Sequence, residues 1–103
     1  MGKISPSELS IMTYIWNEEA AGHKGKPFRD ILSYVGDGVA KQTVNTYLSR
    51  LISKGYVNAE GSRGSKVYTS LVSRREYGWI LLMELYKSDK ESILTDLMKF
   101  GVE

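Results

Sequence analysis

The chain has 103 residues, which is room for one domain with a short appendage, and its 42% hydrophobic and 25% charged residues are ordinary for a globular protein. The absence of cysteine excludes disulfides, thiolate catalysis and cysteine-based metal sites, and no run approaches the roughly 20 apolar residues that a membrane span requires. The net charge of +2 is unevenly distributed, because residues 38–75 carry a net +6, residues 1–37 a net −1 and residues 76–103 a net −3. A basic middle between acidic ends is typical of a nucleic-acid footprint, although by charge alone an ordinary basic surface fits equally well.

Two helices are predicted in the first third of the chain. Ser5 and Glu8 have the spacing of a capping box, and the apolar residues that follow recur at helical spacing up to about Ala20. After a glycine- and lysine-rich loop, Pro27 is expected to open a second, shorter helix with one apolar stripe. The glycines around Asp37 end it.

A third helix is predicted from about Ala40 to Lys54, where a cation in the last turn and Gly55 after it form a usual helix end. Its apolar residues lie on one side, and the opposite side offers donors, acceptors and a cation but no carboxylate. The residues on and beside that outer face are Gln42, Thr43, Asn45, Thr46, Ser49, Arg50 and Ser53.

Two short β-prone runs follow, 56–60 and 66–71, and the turn-forming residues 61–65 between them predict a hairpin. In the second run, residues expected to share one face alternate with polar or exposed positions. Those residues are Val67, Thr69 and Leu71.

The last part of the chain is predicted to be helical. Ser73 and Glu76 form a second capping box, and the run 79–86 that follows is apolar except for Glu84. A last helical stretch is expected after residue 89. A helix that is apolar nearly all round must bury more than one face, so we expect a dimer interface here, the alternative being that the last helix folds back within one chain. The predicted dimerisation residues are Trp79, Leu82, Met83, Tyr86, Ile93, Leu94, Leu97 and Met98.

The order of elements predicts a mainly α protein with a small β-hairpin, namely a winged helix-turn-helix plus C-terminal dimerisation helices. We expect a DNA-binding domain over residues 1–72 and a helical dimerisation segment over residues 73–103. A twofold dimer would place two recognition helices on successive turns of DNA and would read a palindrome.

The outer face of the third helix can enter the major groove, where short polar side chains reach base edges without repelling phosphates. The hairpin turn can grip the backbone or enter the minor groove. Against this stands the plainer interpretation that the helix face is only solvated and the turn is only a turn. The predicted DNA contacts are Lys41, Gln42, Thr43, Asn45, Thr46, Arg50, Lys54, Arg63 and Lys66.

The sequence gives little support to an enzyme. His23 lies in a glycine- and lysine-rich loop with no ligand or nucleophile beside it, and no phosphate-binding glycine loop or spaced metal-ligand cluster is present. We therefore expect no catalysis, no cofactor and no metal. A cytoplasmic location is expected because the absence of cysteine fits a reducing compartment. A winged-helix module that binds another protein, without DNA affinity, is the alternative function.

Three segments of the sequence resemble the penicillinase-repressor family of the BlaI/MecI type. They are Ile4-Ser5 with Glu8, Met12 and Trp16; Thr43-Val44-Asn45-Thr46 with Leu48, Arg50-Leu51 and Lys54-Gly55; and Tyr68 with Leu71-Val72-Ser73-Arg74-Arg75-Glu76-Tyr77. The resemblance covers roughly residues 4–100. It implies a bacterial transcriptional repressor that binds a palindromic operator as a homodimer, with a regulatory protease or sensor as a partner.

By matching positions, the resemblance implies that Thr43 and Thr46 contact DNA. Asn45 stands where many members of the family have arginine, which implies that a different operator is read. The family's C-terminal domain usually continues through a further helix, so the dimerisation segment expected here is shorter than the family's.

Overall fold

Four helices and three short strands form residues 3–88, the part of the chain that the computed structural model describes. In chain order they are α1 (Pro6–Ala20), β1 (Lys26–Pro27), α2 (Phe28–Val35), α3 (Lys41–Ser53), β2 (Val57–Glu60), β3 (Val67–Ser70) and α4 (Arg74–Ser88). Three helices, a hairpin and a further helix confirm the predicted winged helix-turn-helix. The last predicted helical stretch, after residue 89, lies outside the described residues.

Both predicted capping boxes are present. The Ser5 hydroxyl accepts a hydrogen bond from the Glu8 backbone N–H at 3.2 Å, and the Glu8 carboxylate accepts one from the Ser5 N–H at 2.8 Å. The same reciprocal pair joins Ser73 and Glu76, at 3.0 and 2.9 Å, at the start of α4. Each box satisfies backbone donors that a helix leaves unpaired in its first turn, so α1 and α4 begin directly after their capping serines, as the local sequence predicts.

The sheet contains one strand more than the hairpin predicted. It has the order β1–β3–β2, and both pairings are antiparallel. Lys26 pairs with Tyr68, and Pro27 pairs with Val67, so Pro27 is extended (φ −71°, ψ 159°) and directly precedes α2 instead of being its first residue. The strand ties the start of α2 to the hairpin.

The prediction of which face of β3 packs inward is wrong by one residue. Tyr68 is buried, whereas Leu71 is 57% exposed, and Val67 and Thr69 are half-buried. Because β3 is the central strand and one of its faces lies against α1, the large aromatic side chain of Tyr68 is the one that points inward. Successive side chains of a strand point to opposite faces, so this exchanges the two faces of the whole strand.

The core is built from apolar side chains of every helix and of β2 and β3. Its fully or nearly fully buried members are Ile4, Ile11, Met12, Ile15, Trp16, Ile31, Val44, Leu48, Leu51, Tyr56, Val57, Tyr68, Val72 and Tyr77. The three that α3 contributes, Val44, Leu48 and Leu51, are those predicted for its inner side, and their burial turns its polar side to the solvent. Within residues 3–88, every helix falls short of the length and apolarity needed to cross a membrane.

Candidate nucleic-acid interface

An open groove lies between α3 and the loop of the β2–β3 hairpin, and we call it the wing groove. Its charged and amide side chains come from three elements. Arg29 belongs to the first turn of α2, Lys41 and Asn45 belong to α3, and Arg63 and Lys66 belong to the hairpin loop. Among residues 3–88, no carboxylate lines the groove. Four cations and an amide on one concave surface can accept a polyanion without repelling it.

The shape of the hairpin loop depends on Gly61. Its φ of +109° is one that other residues rarely adopt, and a Cβ built there would lie 2.7 Å from the Ser65 carbonyl oxygen. A hydrogen bond from the Ser65 N–H to the Ser62 carbonyl oxygen, 2.9 Å long, closes the turn. The loop therefore holds Arg63 and Lys66 on the side of the hairpin that faces α3.

The structure divides the residues predicted on α3 into two groups. Lys41 and Asn45 line the wing groove, and the Lys41 ammonium lies 5.9 Å from the centre of the Phe28 ring. Gln42, Thr46 and Arg50 are exposed on α3 but do not line the groove, and Thr43 is half-buried. The Thr46 hydroxyl donates a hydrogen bond to the Gln42 carbonyl oxygen at 3.0 Å.

Lys54 does not line the groove and is engaged elsewhere. Its ammonium lies 2.9 and 3.2 Å from the two carboxylate oxygens of Glu8 and 3.3 Å from the Lys3 carbonyl oxygen. Glu8 is only 1% exposed. Burial raises the pKa of Glu8, but the hydrogen bonds from Ser5 and Lys54, together with the charge of Lys54, outweigh burial and lower the pKa overall. This ion pair joins the start of α1 to the end of α3.

Two neighbouring cations, Lys26 and Arg29, differ in what surrounds them. The Lys26 ammonium lies 3.0 Å from Glu18 and 3.3 Å from Asp30. The hydrogen bond to Glu18 raises the pKa of Lys26, and the same contact lowers the pKa of Glu18. Arg29 is 86% exposed, and its one ion pair with a described residue is a long 3.8 Å contact to Asp30. Arg29 is not among the DNA contacts predicted from the sequence, because its place in the groove depends on the packing of α2 beside α3.

The predicted dimerisation residues on α4 are mostly exposed. Trp79 (58%), Met83 (51%) and Tyr86 (38%) are spaced to lie along one side of the helix, and Leu82 is half-buried. The body of the protein covers the other side, where Tyr77 is buried. The remaining predicted residues, Ile93, Leu94, Leu97 and Met98, lie outside the described residues.

Among residues 3–88, no three His, Cys, Asp or Glu side chains come together in a way that could hold a metal ion.

Three helices, a wing and a cationic groove between the third helix and the wing define a winged-helix protein of the DNA-binding type. The sequence model of the penicillinase repressor family matches residues 4–99, so the chain belongs to the penicillinase repressor family. This confirms the resemblance and supports a DNA-binding regulator of transcription.

The fold is also similar to the crystal structure of a transcriptional regulator from Thermotoga maritima. The TM-score is 0.55 and the sequence identity 22%, and the alignment covers 96% of this chain and 75% of that chain. At this identity the similarity concerns the fold. No curated protein matches the sequence.

Proposed function

We propose that this protein is a transcriptional repressor that binds a palindromic operator as a homodimer and blocks access of the polymerase. The observation that carries the proposal is the composition of the wing groove, in which three separate elements supply four cations and one amide, and no described residue supplies a carboxylate. Such a groove matches the phosphates and base edges of a duplex better than it matches a protein or a small anion.

In the proposed complex, α3 enters the major groove of DNA and its exposed side reads base edges. The amide of Asn45 can donate to and accept from adenine at once, and Thr43 and Thr46 lie on the same helix within one turn of it. Lys41 and Arg29 contact phosphates at the edge of the groove. These contacts set the register of the protein and its affinity, whereas Asn45 sets sequence preference.

The wing contributes through Arg63 and Lys66. Both lie in an exposed loop that projects beside α3, so they can reach the backbone or the minor groove next to the base pairs that α3 reads. A narrow A/T-rich minor groove attracts arginine, so we expect such a tract to flank each half-site.

The homodimer is proposed to form through α4. The exposed Trp79, Met83 and Tyr86, with the half-buried Leu82, leave an apolar face that one copy of residues 3–88 does not cover. A twofold axis there would present two copies of α3 to successive turns of one face of the DNA. Two half-sites related by the same axis would form an inverted repeat.

The proposal is tested by selecting bound sequences from a pool of randomised duplexes and measuring the mass of the complex. We expect an inverted repeat held by two chains. A variant with Arg63 and Lys66 both changed to alanine should enrich the same repeat more weakly, whereas a Lys24→Ala variant, which removes an exposed cation outside the groove, should match the wild type. Absence of any DNA binding would contradict the proposal and favour a protein-binding module. A single chain that binds every duplex equally would also contradict the proposal, because it would show DNA affinity without an operator.

A further inference from the structure

The first residues of α4 are joined to α1 by contacts outside the wing groove. The Arg74 guanidinium donates a hydrogen bond to the Asn17 amide oxygen at 2.5 Å, and its central carbon lies 5.7 Å from the centre of the Trp16 ring. The Trp16 indole N–H in turn donates to the Val72 carbonyl oxygen at 2.8 Å. Two helices that are far apart in the sequence are thus tied together where the winged body passes into α4.

Local helix energetics do not explain an arginine at this position. A cation in the first turn of a helix is disfavoured by the positive end of the helix dipole, and the Ser73–Glu76 capping box already satisfies the start of α4. The planar guanidinium of Arg74 instead suits a site that offers an aromatic face and an amide oxygen together. Its contacts therefore concern the attachment of α4 to α1.

Among the described residues, the α4 side chains that pack in or against the core lie in the first half of the helix. Tyr77 is buried against Trp16 and Tyr56, and Ile80 and Leu81 pack against the core, whereas residues 83–87 are exposed. A helix of 15 residues is about 22 Å long, so a rotation of about 10° at its start displaces its far end by about 4 Å. A small change at Arg74 is therefore amplified along α4.

We propose that Arg74 is a positioning residue that sets the angle between α4 and the winged body, and through it the separation of half-sites that a dimer prefers. The inference rests on the proposed dimeric function, because only a dimer held through α4 converts this angle into a distance between two α3 helices. Arg74 itself need not touch DNA.

The test measures binding to duplexes that carry two copies of the selected half-site at centre-to-centre separations that differ by one base pair, and to a duplex with one half-site. We expect the wild type to prefer one separation by about tenfold over its neighbours, which corresponds to about 1.4 kcal/mol. Arg74→Ala should reduce that preference to threefold or less and leave affinity for the single half-site unchanged.

Two further variants distinguish a positioning role of Arg74 from an effect of its charge. Arg75→Ala removes an equal charge from the next residue of the same exposed first turn, and it should keep the wild-type spacing profile. Asn17→Ala removes the hydrogen-bond acceptor without changing the net charge, and it should broaden the profile as Arg74→Ala does. If Arg74→Ala does not fold, Arg74→Lys and Asn17→Ala provide the same comparison.

An unchanged spacing profile in Arg74→Ala and Asn17→Ala would overturn the inference. An equal loss of affinity on every duplex, including the single half-site, would also overturn it and would make Arg74 a phosphate contact. A wild-type protein that binds no paired half-sites as a dimer would overturn both proposals, and this outcome is recognised from the wild type alone, before any variant is compared.

Discussion

Replacing Lys54 with methionine should destabilise the protein because it leaves the buried carboxylate of Glu8 without its cation. The two side chains lie 2.9 Å apart, and Glu8 keeps only the Ser5 hydrogen bonds among the contacts described for its carboxylate. Removing one partner of a fully buried ion pair costs about 3–5 kcal/mol. The Lys54 side chain is 32% exposed, so the pair is partly hydrated and the cost lies toward or below the lower limit.

Protonation sets an upper limit on the part of this cost that comes from burying an unpaired charge. An unpaired Glu8 can always bind a proton, and at pH 7 that costs at most about 3.4 kcal/mol relative to its ordinary pKa of 4.5. We therefore expect Lys54→Met to lower the free energy of unfolding by about 2–3 kcal/mol at pH 7.

The cost should depend on pH in a definite direction. In the wild type, the pKa of Glu8 is lowered, so its contribution to stability is present above pH 4.5 and is lost as the pH falls through the folded-state pKa. Without Lys54 the two lowering contributions of its ammonium are lost, and we expect burial, the largest single contribution, to outweigh the remaining Ser5 hydrogen bonds. The pKa of Glu8 should then rise above its ordinary value, so that the charged form opposes folding as the pH rises above 4.5. The difference between the two proteins should therefore be larger at pH 7 than at pH 5.

Urea unfolding at the two pH values measures this difference as a shift of the midpoint at constant slope. Lys24→Met, an equal charge change at an exposed loop position, is the control and should leave the midpoint unchanged. Adding Glu8→Gln to Lys54→Met should restore most of the loss, because glutamine can keep the capping box and is neutral. A loss below about 0.5 kcal/mol at pH 7, or an equal loss at both pH values, would refute the reasoning.

Three other changes test the wing groove. Asn45→Ala should reduce discrimination between the selected operator and a variant with one substituted adenine by about 1–3 kcal/mol, measured by competition binding, while affinity for unrelated DNA persists. Changing Arg63 and Lys66 to alanine should reduce the slope of log affinity against log salt by about 1–2, and an unchanged slope would show that the wing makes no phosphate contacts. Gly61→Ala should lower thermal stability more than Gly64→Ala, because both have positive φ but only Gly61 faces a backbone oxygen at 2.7 Å. Equal losses at the two glycines would contradict this reading of the turn.

The sequence predicted features that depend on residues close together in the chain. The partners of each capping box are three residues apart, so Ser5 with Glu8 and Ser73 with Glu76 were recognisable from spacing alone. The apolar stripe of α3 was recognisable for the same reason, since helical periodicity places Val44, Leu48 and Leu51 on one side.

The sequence did not predict features that depend on distant partners. Glu8 and Lys54 are 46 residues apart, and neither position alone indicates an ion pair, so Lys54 was assigned to DNA. The strand β1 has only two residues and exists because β3 lies beside it, so no local pattern identifies it. Arg29 was overlooked because its place in the wing groove depends on how α2 packs against α3.

The strand β1 also shortens the strand edge that β3 would otherwise expose. An open strand edge is a template on which another chain can add a strand, and a DNA-bound protein is held close to its neighbours. Here β1 covers the edge of β3 beside Val67 and Tyr68, and its two residues are a lysine and a proline. A short strand with a charge, and with a residue that lacks a backbone N–H, offers very little to pair with. This part of the sheet edge therefore gives a second copy of the chain little on which to add a strand.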